Sequence, residues 1–118
     1  MSSMHHGNVA VVGAAETTGL GTLPAMSMIE LHAEAARNAL ADAGLAPADV
    51  DGIATAGPLP MEVSHHLGIT PRWLDGTMVG GCSFMLHVRH AAAACLTCSR
   101  KLHPPTIVPS SHRGVMPR

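Results

Sequence analysis

WLDGTMVGGCSFMLHVRHAAAA, residues 73–94, is the stretch on which the reading of this chain turns. A short strand-like start runs into Gly80-Gly81, a cysteine follows at once, and an alanine-rich amphipathic segment continues from there. A thiol placed between a glycine turn and a helix N-terminus meets unpaired backbone N–H groups and the positive end of the helix dipole, and both favour a thiolate. Cys82, read as a first-turn residue of this helix, is therefore the candidate nucleophile. It would attack an electrophilic carbon such as a thioester carbonyl, with N–H groups of the turn as oxyanion donors. The same position suits a small buried apolar residue, because free cysteine is among the most buried types. Position alone leaves both readings open.

Within the helix, 3.6-residue periodicity puts Phe84, Val88, Ala91 and Cys95 along one apolar face, with Met85 and Ala92 beside it. His87, Arg89 and His90 interrupt that surface and are expected on a helix edge, toward a cleft or interface. His87 and His90 are i,i+3 neighbours, the spacing of a weak metal pair or of ordinary polar edge positions, and no metal is assigned to them.

Upstream, residues 9–12 (VAVV) end at Gly13 and read as a buried strand. Residues 14–25 carry Gly19, Gly21 and Pro24 and read as a loop; they match neither GxGxxG nor a P-loop, which excludes nucleotide binding there. Ser27 and Glu30 form an S-x-x-E capping box, and Ile29, Ala33, Ala36, Leu40 and Ala43 then make one apolar stripe that stops at Gly44 with Pro47 beyond. His32 and Glu34 are expected at the solvated surface of this helix. Residues 50–56 (VDGIATA) predict a second strand, residues 62–67 a short helix ended by Gly68, and residues 75–79 a third strand. His65 and His66 are adjacent, so their side chains point about 100° apart on a helix and do not grip one ion. Alternating strands and helices indicate an α/β fold of parallel β-α-β units with covering helices.

The bulk numbers agree with this plan. A 118-residue chain makes one domain or part of one. Its 47% hydrophobic content and mean hydropathy of +0.24 are globular values. A net charge of -1 gives no electrostatic case for nucleic acid or an anionic membrane. No apolar run reaches spanning length and no secretory leader is visible. Three irregularly spaced cysteines do not make a disulfide framework, so a cytoplasmic location is expected.

Several of these segments together resemble the thiolase superfamily. Residues 8–13 (NVAVVG) with Glu16-Thr17 are similar to its opening strand and loop. Residues 34–45 (EAARNALADAGL) and 50–53 (VDGI) are similar to the helix and strand that follow. Asp75-Gly76-Thr77, Gly80-Gly81-Cys82-Ser83-Phe84 and residues 88–94 (VRHAAAA) are similar to its nucleophile region. The branch most resembled is that of the lipid-transfer-protein-like, sterol-carrier-associated thiolases. The resemblance implies a partial thiolase N-terminal domain over residues 8–94 and acetyl-CoA acetyltransferase-like chemistry, with Cys82 taking an acyl group from a coenzyme A thioester before carbon–carbon bond formation or cleavage. Coenzyme A enters as the substrate's carrier; no bound cofactor is implied. A homodimer, or a thiolase-like or small OB-fold partner subunit, is also implied. The sequence departs from the family in one respect: Cys82-Ser83-Phe84-Met85 stands where Cys-x-Ser/Thr-Gly is usual.

Residues 1–7 read as a disordered start. Residues 95–118 are basic, contain Pro104, Pro105, Pro109 and Pro117, and do not resemble the family; they are expected to form an irregular tail, as from a reading frame lost near Ala94. The histidine that activates the nucleophile and the second acid/base cysteine of the family fall in its later half, which this chain does not reach, so the chain alone is expected to be inactive. Cys95-x-x-Cys98 with His103 offers only half of a zinc site, and its place at a helix end does not suit a thioredoxin-like pair. A non-catalytic interaction fragment remains the alternative reading of the whole.

Overall fold

The computed structural model describes residues 9–97 and 106–107, with side chains described for residues 9–94. Helix α1 spans Met28–Ala43, a single 3-10 turn Pro47–Asp49, strand β1 Gly52–Ala54, helix α2 Pro60–Leu67, strand β2 Trp73–Asp75, helix α3 Ser83–Thr97 and strand β3 Thr106–Ile107. The sheet has the order β2-β1-β3 and both pairings are parallel. Gly52, Ile53 and Ala54 lie opposite Trp73, Leu74 and Asp75, and the ladder continues one bond further through Thr55 N–H to the Asp75 carbonyl at 2.9 Å. Three parallel strands with helical connections are the α/β architecture that the sequence pattern indicates.

Helix α1 starts and stops where its punctuation says. Ser27 Oγ accepts the Glu30 N–H at 3.2 Å, and Glu30 Oε2 accepts the Ser27 N–H at 2.6 Å. The helix ends at Gly44 with φ 71°, and the Leu45 N–H reaches back to the Leu40 carbonyl at 2.9 Å. Helix α2 starts on Pro60, whose missing N–H costs nothing at that position, and ends at Gly68, also at φ 71°. A left-handed residue satisfies the last carbonyls in both cases, and glycine takes that conformation without a steric penalty.

The core is aliphatic. Ala33, Ala36 and Leu40 of α1, Val50, Ile53 of β1, and Val63, Leu67 and Ile69 at α2 close on one another, with Leu45 at the margin. Ile53 is fully buried at its centre. Burying a side chain of that size stabilises by about 1.5–3 kcal/mol. Helix α3 packs on β1 and β2, but contributes no residue to this cluster.

Several expectations differ from the structure. Residues 9–12 form no strand. Val9, Val11 and Val12 are exposed, Val11 by 78%, and the second edge of β1 pairs instead with Thr106–Ile107. The segment that follows is strapped across the later half of α1: a Cβ on Gly13 would stand 2.6 Å from the Ala39 carbonyl oxygen, the Ala14 N–H donates to Asp42 Oδ2 at 3.1 Å, and Asn38 Nδ2 donates to the Glu16 carbonyl at 2.9 Å. Gly13 thus serves a close approach to the helix rather than the end of a strand. The third strand, expected at residues 75–79, is Trp73–Asp75, and its chain leaves the sheet before residue 76.

His32 is not solvated. It is fully buried, and its Nδ1–H donates to the Met28 carbonyl at 2.9 Å. Among the described residues Nε2 has no hydrogen-bond partner within bonding geometry. Burial therefore holds His32 below its ordinary value of 6.5, opposed by the nearby carbonyls of Met28 and Ala56. Glu34 is half-buried, and its Oε2 likewise lacks a hydrogen-bond partner among the described residues. Helix α3 runs three residues past Ala94 to Thr97, and β3 lies within the stretch expected to be irregular. Residues 1–7, Cys98 and His103 lie outside the described residues.

Candidate functional site

Between β2 and α3, residues 76–79 have left the sheet, so their backbone N–H and C=O groups need partners from elsewhere. Side chains of α3 supply two of them, for the Val79 N–H and the Thr77 carbonyl. Ser83 Oγ accepts the Val79 N–H at 3.0 Å and donates to the Gly80 carbonyl at 2.6 Å. His87 is 1% exposed, and its Nε2–H donates to the Thr77 carbonyl at 2.8 Å. His90 Nδ1 pairs with Asp75 Oδ2. Asp75 Oδ1 meanwhile accepts the Thr77 N–H at 3.0 Å and its hydroxyl at 2.6 Å. Burial pushes the Asp75 carboxyl up, but the hydrogen bonds from Thr77 and His90 outweigh it and bring the group from 3.8 to about 2.

Three contacts thus tie the two segments together: 75 to 90, 77 to 87 and 79 to 83. Alternate residues of an extended chain lie on one side, and positions i, i+4 and i+7 of a helix lie on one face. The two periods mesh, and the ladder closes on a turn made of Gly80, Gly81 and Cys82. Gly80 has φ 88°, a left-handed conformation that favours glycine.

The turn holds Cys82 outward. The thiol is exposed, which removes the reading of Cys82 as a small buried core residue. It sits immediately before the helix rather than within its first turn, because α3 begins at Ser83. The Sγ–H faces the Val79 carbonyl at 3.8 Å. Among the N–H groups expected as oxyanion donors, those of Ser83 and Met85 are already given to the Gly80 and Cys82 carbonyls, both at 3.1 Å.

The face of α3 that turns inward is rotated by about one residue step from the one its apolar periodicity indicates, and the two share only Ala91 among the residues with described side chains. Ser83, His87 and Ala91 are buried, whereas Phe84, Met85 and Val88 are 42%, 63% and 45% exposed. His87 is a buried ladder residue, not an edge position. Its chemistry was legible in principle as a polar i, i+4, i+7 stripe of Ser83, His87 and His90 following the alternating Asp75, Thr77 and Val79. Met78 and Val79, a few residues before Cys82, are exposed too. No group of three or more His, Cys, Asp or Glu side chains gathers as a metal site among the described residues. Among the same residues, no helix is long and apolar enough to cross a membrane.

No family model and no curated protein matches the chain. Solved structures do. A priming β-ketosynthase from a polyketide biosynthetic pathway, itself thiolase-like, superposes with a TM-score of 0.55 over 64% of this chain and 25% of that one, at 21% identity, a level that speaks for the fold alone. An Ltp2-ChsH2(DUF35) aldolase superposes with a TM-score of 0.57 at 32% identity, over 75% of this chain and 25% of that one. The matched part spans about a quarter of either neighbour, and over that quarter this chain is thiolase-like.

Proposed function

We propose that Cys82 is the acyl-accepting nucleophile of a thiolase-like acyltransferase acting on coenzyme A thioesters. One observation carries this reading: an exposed thiol stands at the tip of a strand–turn–helix junction, on a fold shared with a ketosynthase and an aldolase. In the step proposed, Sγ as thiolate forms a bond to the thioester carbonyl carbon and the bond from that carbon to the sulfur of coenzyme A breaks. The proton first held by Cys82 finishes on the released coenzyme A thiol. The acyl group on Cys82 then enters carbon–carbon bond formation or cleavage, the kind of chemistry that both neighbours' names denote.

The ladder explains why turnover by this chain alone is not expected. His87 donates to Thr77 and His90 pairs with Asp75, and no side-chain base hydrogen-bonds to Cys82 among the described residues. General acid–base assistance is worth about 10²–10⁴-fold, so its absence leaves at most slow, single acylation. A partner subunit, as a second copy or an OB-fold protein, belongs to the same proposal; the paired name of the Ltp2-ChsH2(DUF35) neighbour supports a two-component arrangement.

Intact-mass spectrometry after incubation with acetyl-CoA tests the reading. One acetyl group per chain, removed by hydroxylamine and absent from Cys82→Ser, supports it. An unmodified chain, or equal acetylation of Cys82→Ser, rejects it. The exposed Phe84, Met85 and Val88 favour one second reading, a non-catalytic module that docks through this face. Labelling of Cys82 by acetyl-CoA separates the two.

A further inference from the structure

We infer that His87 and His90 are positioning residues for Cys82, acting through Thr77 and Asp75 on the turn that carries the thiol. The inference rests on the reading of Cys82 as acyl acceptor. A turn containing two glycines has little stiffness of its own, and nothing is within 4 Å of a Cβ built on Gly80 or Gly81, so no packing confines it. Its geometry is set by its ends. The near end is the Val79–Ser83 contact, and Val79 is also the residue whose carbonyl faces Cys82 Sγ.

Further along, the buried His87 fixes the Thr77 carbonyl, and His90 fixes Asp75, which is registered against Ala54 in the sheet. The thiol is therefore referenced to the sheet through successive polar contacts, not through the aliphatic core. Oriented attack on a thioester depends on placement to within about an ångström. Attack on a small freely diffusing alkylating agent has no such requirement.

The test uses the full chain and two pairs of variants. His87→Leu removes the donor to Thr77, while His87→Gln keeps an N–H near the place of Nε2. His90→Leu removes the partner of Asp75, while His90→Asn keeps a donor near the place of Nδ1. Amide hydrogen exchange at Val79 and Ser83, acetylation of Cys82 by acetyl-CoA and its alkylation by iodoacetamide are measured by residue. His87→Leu is expected to speed exchange at both amides and to slow acetylation relative to alkylation, each by about 10-fold or more. His87→Gln is expected to restore both toward wild type. A folded His87→Leu chain with wild-type exchange, or a His87→Gln chain that restores nothing, overturns the inference. Should His87→Leu fail to fold, the more exposed His90 pair supplies the same comparison. Should wild-type Cys82 take no acetyl group, the acyl-acceptor reading fails, while the exchange data still judge the ladder.

Discussion

The two halves of this molecule are held together by different physics. Around β1, helices α1 and α2 close on Ile53, Val63, Leu40 and Leu67, and the attraction is non-directional burial of apolar area. Around the turn after β2, helix α3 is fastened by Ser83, His87 and His90 to polar groups of Asp75, Thr77 and Val79, while Phe84, Met85 and Val88 face outward. Apolar packing tolerates small displacements of its members, whereas a set of hydrogen bonds fixes distance and angle. The half that places the candidate nucleophile is the half built from directional contacts.

The largest expected effect is on the apolar half. Ile53→Ala removes the centre of the core and should lower stability by about 2–5 kcal/mol. Urea titration followed by circular dichroism would read this, and a loss below 1 kcal/mol would mean that the core is not where stability resides. Ser83→Ala comes next. It removes the acceptor of the part-buried Val79 N–H, at a cost of about 0.5–1.5 kcal/mol. The two substitutions should also differ in kind: Ser83→Ala opens the amide of Val79 to exchange before the rest of the chain, and Ile53→Ala loosens all protected amides together.

Ser27→Ala tests the punctuation of the apolar half. Losing the cap of α1 should cost about 1 kcal/mol in the same urea titration, and a neutral result would show that the helix does not depend on it.

The smallest effects are those of pH; both have the same sign, and their pH windows separate the halves. Burial depresses His32, so the folded state binds its proton less readily than the unfolded chain does. Its stabilising contribution is complete above 6.5 and falls away as pH drops below that value. Asp75 is depressed from 3.8 to about 2, so its contribution is complete above pH 4 and is lost as pH falls toward 2. Thermal melts of His32→Phe should flatten the stability profile near pH 6, and those of Asp75→Asn should flatten it only below pH 4. The reverse pattern would contradict both assignments.

The same division governs what could be read from the sequence. Ser27, Glu30, Gly44, Pro60 and Gly68 act through local backbone chemistry, so the bounds of α1 and the end of α2 were legible within a few neighbouring residues. The resemblance to thiolases likewise matched the fold found by superposition. The orientation of α3 was not legible from its hydrophobic pattern, because residues 76–79 leave the sheet and require polar partners, and that need outweighed the burial of Phe84 and Val88. The VAVV run had the composition of a strand. Pairing is a tertiary matter, however, and β1 pairs with Thr106–Ile107 instead. His32 carried no surface signal of its burial; only the packing of α1 shows it.

The place of Cys82 between a glycine turn and a helix was legible in the sequence, while its exposure and the ladder beside it came from the structure. Peptide-resolved alkylation with iodoacetamide, with and without prior incubation with acetyl-CoA, tests both at once. The thiol should react in the folded chain without prior unfolding, and acetyl-CoA should protect it. A thiol that reacts only on unfolding would contradict the exposed junction, and one that reacts but gains no protection would contradict its role as the acyl acceptor.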